Sequence, residues 1–225
     1  VRLRVPMLQV HTVAAGGGSI LHFDGSRFRV GPDSAGAYPG PACYRRGGPL
    51  TVTDCNVLLG KIQPRWFPAT FGPDGNLPLD AGVVQERFTE LTRTVAAATG
   101  RAWSSEEVAE GFLNVAVENV ARAVRQISVA RGHDITRYAL CAFGGAGGQH
   151  ACLVADTLGM ETVLLHPLAR VLSAWGIGQA EIRVIREKAL ETLEGPDTLP
   201  ALQHALEELA DRARAEVAAQ GVRSD

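Results

Sequence analysis

Two hydrophobic periods alternate along the chain and divide it into four parts. Residues 1–60 carry short apolar runs over 5–13, 20–23, 27–30 and 51–57, separated by Gly, Pro and Asp. Runs of this length bounded by turn residues predict strands. Residues 34–48 are dense in Gly and Pro, and Pro39-Gly-Pro41 suits neither helix nor central strand, so an ordered loop is expected there. Loop continues over 61–78, with a Gly72-Pro-Asp-Gly75 turn and the aromatic side chains of Trp66, Phe67 and Phe71. The pattern then lengthens to the helical period over 79–100, with Asp80 as N-cap and Gly100 as stop.

A second helix is marked more sharply. Ser104-Ser-Glu-Glu107 matches the capping box, and Leu113, Val117, Val120, Val124 and Ile127 follow at helical spacing. Gly132 ends it, with Arg125 and Arg131 near the negative end of the helix dipole. Beyond lie a strand over 138–143, a glycine turn over 144–148, a helix over 149–158, Gly159, and a strand over 162–166. Strand–helix–strand with short connections implies parallel pairing and a right-handed crossover. Small residues at Ser173, Ala174, Gly176 and Gly178 suit close packing of a helical segment over 168–182, and an amphipathic helix is expected over 199–220. The resulting segments are a β-rich glycine-turn part (1–60), a loop-plus-helix insertion (61–103), an α/β subdomain with the Gly-Gly-Ala-Gly-Gly turn (104–195) and a helix leading toward a further C-terminal region (196–225).

Composition narrows the class. The 225 residues are 46% hydrophobic, enough for a real core, and the net charge is −2 with acids and bases interspersed. There is no basic stripe for nucleic acid or an anionic membrane, and no apolar run near the ~20 residues needed to span a bilayer. The four cysteines, Cys43, Cys55, Cys141 and Cys152, lack C-x-x-C spacing, which argues against zinc. Four could form two disulfides; buried free thiols in a cytoplasmic protein are the preferred reading.

The richest chemical signal is Tyr138-Ala-Leu-Cys-Ala-Phe-Gly-Gly-Ala-Gly-Gly-Gln-His-Ala-Cys152. A buried-type strand runs through a glycine cluster straight into a helix, which lets backbone approach a ligand closely. The spacing matches neither the dinucleotide fingerprint nor a P-loop. A tight structural connection and a ligand loop both explain it.

Its neighbours add a family. Ahead lie His11-Thr-Val-Ala-Ala-Gly-Gly-Gly-Ser-Ile20, the block Gly31-Pro-Asp-Ser-Ala-Gly-Ala-Tyr-Pro-Gly-Pro-Ala-Cys-Tyr44, and Gly48-Pro-Leu-Thr-Val-Thr-Asp-Cys-Asn-Val-Leu-Leu-Gly60. Behind lie Val163-Leu-Leu-His-Pro167 and Leu172-Ser-Ala-Trp-Gly-Ile-Gly178. From about residue 5 to 189 this ordered set resembles the hydantoinase A/5-oxoprolinase family of the actin-like ATPase superfamily. Gly-Gly-Gln-His-Ala-Cys stands where many relatives read Gly-Pro-x-His-Ala.

The resemblance implies an α/β fold, part of an actin-like (RNase H-like) ATPase with a mixed β-sheet flanked by helices. It implies ATP and Mg²⁺ as cofactors, and ATP-driven opening of a cyclic amide such as 5-oxoproline. An amide carbonyl is a poor electrophile, so ATP would turn its oxygen into a phosphorylated leaving group, largely by positioning and electrostatics. Hydrolysis would rest on a hydantoinase B-like region or subunit, and the whole protein is expected to be a homo-oligomer. With no initiator Met and with relatives far longer, the chain is expected to be an excised piece holding one half of a nucleotide site. The family's two phosphate-binding loops would precede Val1, and no turnover is expected from the piece alone. An ATPase subunit of a hydantoinase or of an acetone or acetophenone carboxylase is an alternative, as is a non-enzymatic α/β interaction domain.

Residue by residue, the resemblance makes Gly144, Gly145, Ala146, Gly147 and Gly148 the adenosine turn. His150 is either a backbone-bonded helix-start histidine or a contact to ribose or substrate. Gly16, Gly17, Gly18 and Ser19, with His11, form a possible phosphate or substrate loop, although a hairpin or bulge explains the glycines equally. His11 stands where 5-oxoprolinases are expected to have Asn and hydantoinase-like relatives His. Glu118, Arg122 and Arg125 share one helix face, which is either a solvated ion-pair face or the wall of the nucleotide cleft. Asp54, read as ending a strand, is placed to hold Mg²⁺ through water or to orient a nucleophile. Asp33 is read as closing an Asx turn and His166 as a cleft-edge residue. His22, His133 and His204 are read as surface or structural.

Overall fold

The structure, a computed structural model, describes residues 11–13, 15–191, 195 and 198–221. The strand expected over 5–13 lies largely outside them. The described residues form two compact units, divided between Leu172 and Ser173.

The first unit is organised along one long helix. Strands β1 (Ser19–Phe23) and β2 (Phe28–Ser34) form an antiparallel hairpin with Leu21 opposite Val30 and Phe23 opposite Phe28. The turn between them closes on Asp24, whose Oδ1 accepts from the amides of Ser26 and Arg27. Helix α1 (Val52–Leu58) follows the Gly/Pro loop. Helix α2 (Ala81–Thr99) starts where Asp80 accepts from the Val83 amide, and it stops at Gly100 in the left-handed region. Helix α3 (Ser105–Val129) opens with the Ser104–Glu107 capping box. At 25 residues it is ~37 Å long, which lets it serve two cores. Toward its start, Val108, Phe112 and Leu113 pack with Val84, Phe88 and Val95 of α2 and with Val52 and Cys55 of α1. Toward its end, Val117 and Ala121 pack with Val154, Ala155 and Leu158.

That second core belongs to the predicted strand–helix–strand. Strand β3 (Leu140–Ala142), helix α4 (Ala151–Leu158) and strand β4 (Val163–Leu165) follow in order, and the strands pair in parallel with Leu140 opposite Val163. Among the described residues the sheets are thus one antiparallel hairpin and one parallel pair, within a mixed α/β fold. Helix α5 (Leu172–Gln179) reaches into the second unit, where α6 (Thr198–Ala219) carries exposed ion pairs, Lys188–Glu208 at 2.7 Å and Arg212–Glu208 at 2.6 Å. Among the described residues no helix is long and apolar enough to cross a membrane.

Three expectations are corrected. Residues 51–57 are helix, not strand: Asp54 sits three residues after the N-cap Thr51 and its Oδ2 accepts from the Thr51 amide at 2.8 Å, so the end of α1 is fixed locally. Asp33 closes no Asx turn; it lies on β2 and accepts from His22 of β1 at 2.9 Å, and this bond holds its carboxyl below the usual range. All four cysteines are free, but only Cys43 and Cys55 are buried; Cys141 and Cys152 are exposed.

Candidate functional site

Two glycine turns, far apart in sequence, come together. In the first, the Ser19 hydroxyl accepts from the Gly16 amide at 2.9 Å. The Gly17 carbonyl accepts from both the amide (2.8 Å) and the hydroxyl (2.9 Å) of Thr53 in α1. A Cβ at Gly17 would stand 2.7 Å from the Thr53 hydroxyl and 3.4 Å from Ala146 Cβ, and one at Gly18 would stand 2.8 Å from the Ser34 hydroxyl. The second turn, residues 144–148, leaves β3 at Gly144, whose φ of 93° suits glycine and whose amide donates to the Ala169 carbonyl. A short 3₁₀ turn, Gly147–Gln149, then leads into α4. No atom lies within 4 Å of a Cβ built on Gly144, Gly145 or Gly147, while one on Gly148 would touch Leu165 at 3.7 Å.

Two cavities share Gly17 and Ala146 in their linings. The larger, about 410 Å³, is lined by Gly18, Gly145, Thr53, Gln149 and Arg170, with an apolar wall from Tyr44, Ile62, Phe67 and Leu79. The smaller, about 260 Å³, has Gly16, Gly147 and His150 on one side and Val120, Leu140, Phe143 and Val154 among its apolar residues. Both fall at or near the size of small-ligand pockets.

A fully buried side chain links them. Asn56 of α1, 0% exposed, donates its Nδ2 to Gln149 Oε1 at 2.7 Å and lies 3.4 Å from His150 Nε2. Two atoms remain buried without a partner among the described residues, Asn56 Oδ1 and His150 Nδ1. Burial, and then the charge of Lys61, lowers the His150 pKa from its ordinary value, so its imidazole is held neutral.

Asp54 stands behind this site rather than in it. Its carboxylate is 0% exposed and accepts from Ala42 N, Cys43 N, Thr51 N and the Thr51 hydroxyl at 2.8–3.1 Å. Those four donors tie the 42–44 turn to the start of α1, and Asp54 is a fastening of the cleft wall. Burial foremost, and then the Asp54 charge, pushes the Cys43 and Cys55 thiols far up, which leaves them un-ionised and unreactive.

The remaining candidates are dispersed. Glu118 and Arg122 are exposed on α3, whose contribution to the smaller cavity is Val120; Arg125 donates to the Thr157 carbonyl at 3.0 Å. His11 lies beside Arg131 at the far end of α3, its Nε2 3.2 Å from the guanidinium, and helps line a separate hollow. His166 accepts from the Leu168 amide through Nδ1. Sequence reasoning missed Thr53, Asn56, Gln149 and Arg170. Thr51-x-x-Asp54 carried the capping signal that would have placed the first two on a helix. Gln149 borders the glycine turn, and nothing local marked Arg170.

The site is therefore a glycine-lined cleft of a mixed α/β protein, open to a small ligand. The family described as hydantoinase/oxoprolinase matches residues 1–186, and the chain belongs to that family. It is 46% identical over 209 residues to 5-oxoprolinase of Saccharomyces cerevisiae, covering 92% of this chain and 16% of that enzyme. The fold is shared with the nucleotide-free structure of acetone carboxylase (TM-score 0.75, 27% identity, 94% of this chain and 30% of that one). It is shared as well with ATP-dependent caprolactamase from Pseudomonas jessenii (TM-score 0.67, 32% identity, 98% of this chain and 31% of that one).

Proposed function

We propose that this chain is a section of an ATP-dependent 5-oxoprolinase, which hydrolyses the 5-oxoproline lactam to glutamate, and that its two glycine turns form the adenosine side of the nucleotide site. The observation that carries this is the approach of Gly17 to Ala146, which makes one cleft from two turns more than a hundred residues apart. Greater identity to the yeast 5-oxoprolinase than to the caprolactamase or acetone carboxylase structures favours a 5-oxoproline-type lactam over caprolactam or a ketone.

The smaller cavity fits a nucleoside. Its apolar residues suit a base, and the turn presents backbone without side chains. Mg²⁺ does not fit these residues directly. Among the described residues no three His, Cys, Asp or Glu cluster to hold a metal ion, and the Asp54 oxygens are already occupied. ATP, when bound, would supply the phosphoryl group that makes the amide oxygen a leaving group. This chain's residues would hold and orient the nucleoside, while a hydantoinase B-like region would direct water to the activated carbonyl. In this reading the whole protein is a cytoplasmic homo-oligomer.

Turnover by the full-length protein tests the reading. Incubated with MgATP and, separately, 5-oxoproline, hydantoin, caprolactam or acetone with bicarbonate, it should release ADP and glutamate with 5-oxoproline. ADP release stimulated by the ketone alone would assign it to carboxylation instead.

A further inference from the structure

We propose that the larger cavity binds a small organic carboxylate, with the anion at Arg170 and Gln149 and the body of the molecule against the apolar wall. This deepens the reading above, on which it rests, by giving the substrate a place beside the nucleoside.

The donors come first. Arg170 lines the cavity, and among the described residues it has neither a hydrogen bond nor an ion pair; no Asp or Glu is in the lining to neutralise it. An unmatched guanidinium is a fork suited to a carboxylate. Gln149 is the second donor, and its polarity is set from beneath. The Asn56 NH₂ holds Gln149 Oε1 at 2.7 Å, which turns the Gln149 oxygen toward α1 and leaves its own NH₂ for the cavity. The Thr53 hydroxyl, by contrast, is spent on the Gly17 carbonyl.

The apolar part of the lining decides what kind of anion fits. Tyr44, Ile62, Phe67 and Leu79 are apolar or aromatic, and burial raises the Tyr44 pKa, which keeps its hydroxyl un-ionised. Phosphate oxygens would satisfy Arg170 but leave this wall facing charge. A compact ring bearing a carboxylate satisfies both sides.

Steady-state kinetics of the full-length enzyme with Arg170→Gln and Gln149→Glu distinguish the two anions. Gln149→Glu keeps the oxygen that Asn56 binds and replaces the donor facing the cavity with an acceptor, so folding is preserved while the proposed contact is reversed. Each variant should raise KM for 5-oxoproline by ~10- to 100-fold, as loss of a hydrogen bond to a charged group does. KM for ATP should stay within about twofold, and thermal midpoints should match the parent. A rise in KM for ATP with 5-oxoproline unaffected would assign the cavity to phosphate and overturn the proposal; no change in either would overturn it as well. If 5-oxoproline is not turned over at all, the functional reading fails separately. Thermal protection by a panel of small cyclic carboxylates, lost in both variants, would then still support the cavity, and its absence in the parent would sink it.

Discussion

The two glycine turns look alike in sequence and are opposite in physics. Around Gly17 and Gly18 the protein itself fills the space a side chain would need, with hydroxyls 2.7 and 2.8 Å from the missing Cβ atoms. Around Gly144, Gly145 and Gly147 that space is empty. Glycine in the first turn permits packing, and in the second it keeps a cleft open. A glycine cluster therefore reports a ligand only after its surroundings are known. The cleft is built by setting a locked turn against an open one.

Removing the fastening of the locked side should have the largest effect. Asp54→Ala leaves three buried backbone amides, those of Ala42, Cys43 and Thr51, without their acceptor. At ~1–3 kcal/mol for each unsatisfied buried group, the loss should reach at least ~3 kcal/mol. Urea unfolding would show it as a lower midpoint with unchanged slope. A variant of parental stability would mean that Asp54 is not the fastening. Gly17→Val comes next. It drives a branched side chain into Thr53, and overpacking of this kind costs ~1–3 kcal/mol. In differential scanning calorimetry that is a drop of ~2–4 °C per kcal/mol at this chain size. A midpoint equal to the parent's would erase the contrast between the turns.

A smaller effect concerns pH. Burial lowers the His150 pKa below its unfolded value near 6.5. The unfolded chain then binds the proton more readily than the folded one. The His150 contribution is complete above about pH 6.5 and is lost as pH falls toward the folded pKa. Thermal midpoints measured between pH 8 and 5.5 should decline on the acid side, and His150→Gln should flatten that decline. An equal decline in the variant would assign it to other groups. The smallest stability change belongs to Gly147→Val, whose side chain enters open space and should alter stability by no more than ~0.5 kcal/mol.

Local chemistry made most of the fold legible. Asp80, Gly100 and Ser104-x-x-Glu107 each satisfy backbone groups within a few residues, so the ends of α2 and the start of α3 were readable to within one or two positions. The strand–turn–helix–strand of residues 138–166 was readable because its periods and glycines agree. Residues 51–57 misled because Val52, Cys55 and Val57 are all core-facing on a short helix, and β-branched residues dominate its start. The Asp54 capping partner was the stronger signal there. Half the site was legible, namely the glycines and His150. Asn56 meets Gln149 across 93 positions, and Arg170 reaches the cavity through the chain's course after β4. No pattern in a single sequence encodes either contact.

The central claim is that the open turn receives a nucleoside. Thermal unfolding of the full-length protein with and without adenosine, in the parent and in Gly147→Val, which lines the smaller cavity, tests it most directly. At a hundredfold excess over the dissociation constant, adenosine should stabilise the parent by ~2.7 kcal/mol and leave the variant's midpoint where it was. Equal protection of both proteins would place the nucleoside elsewhere and contradict the account.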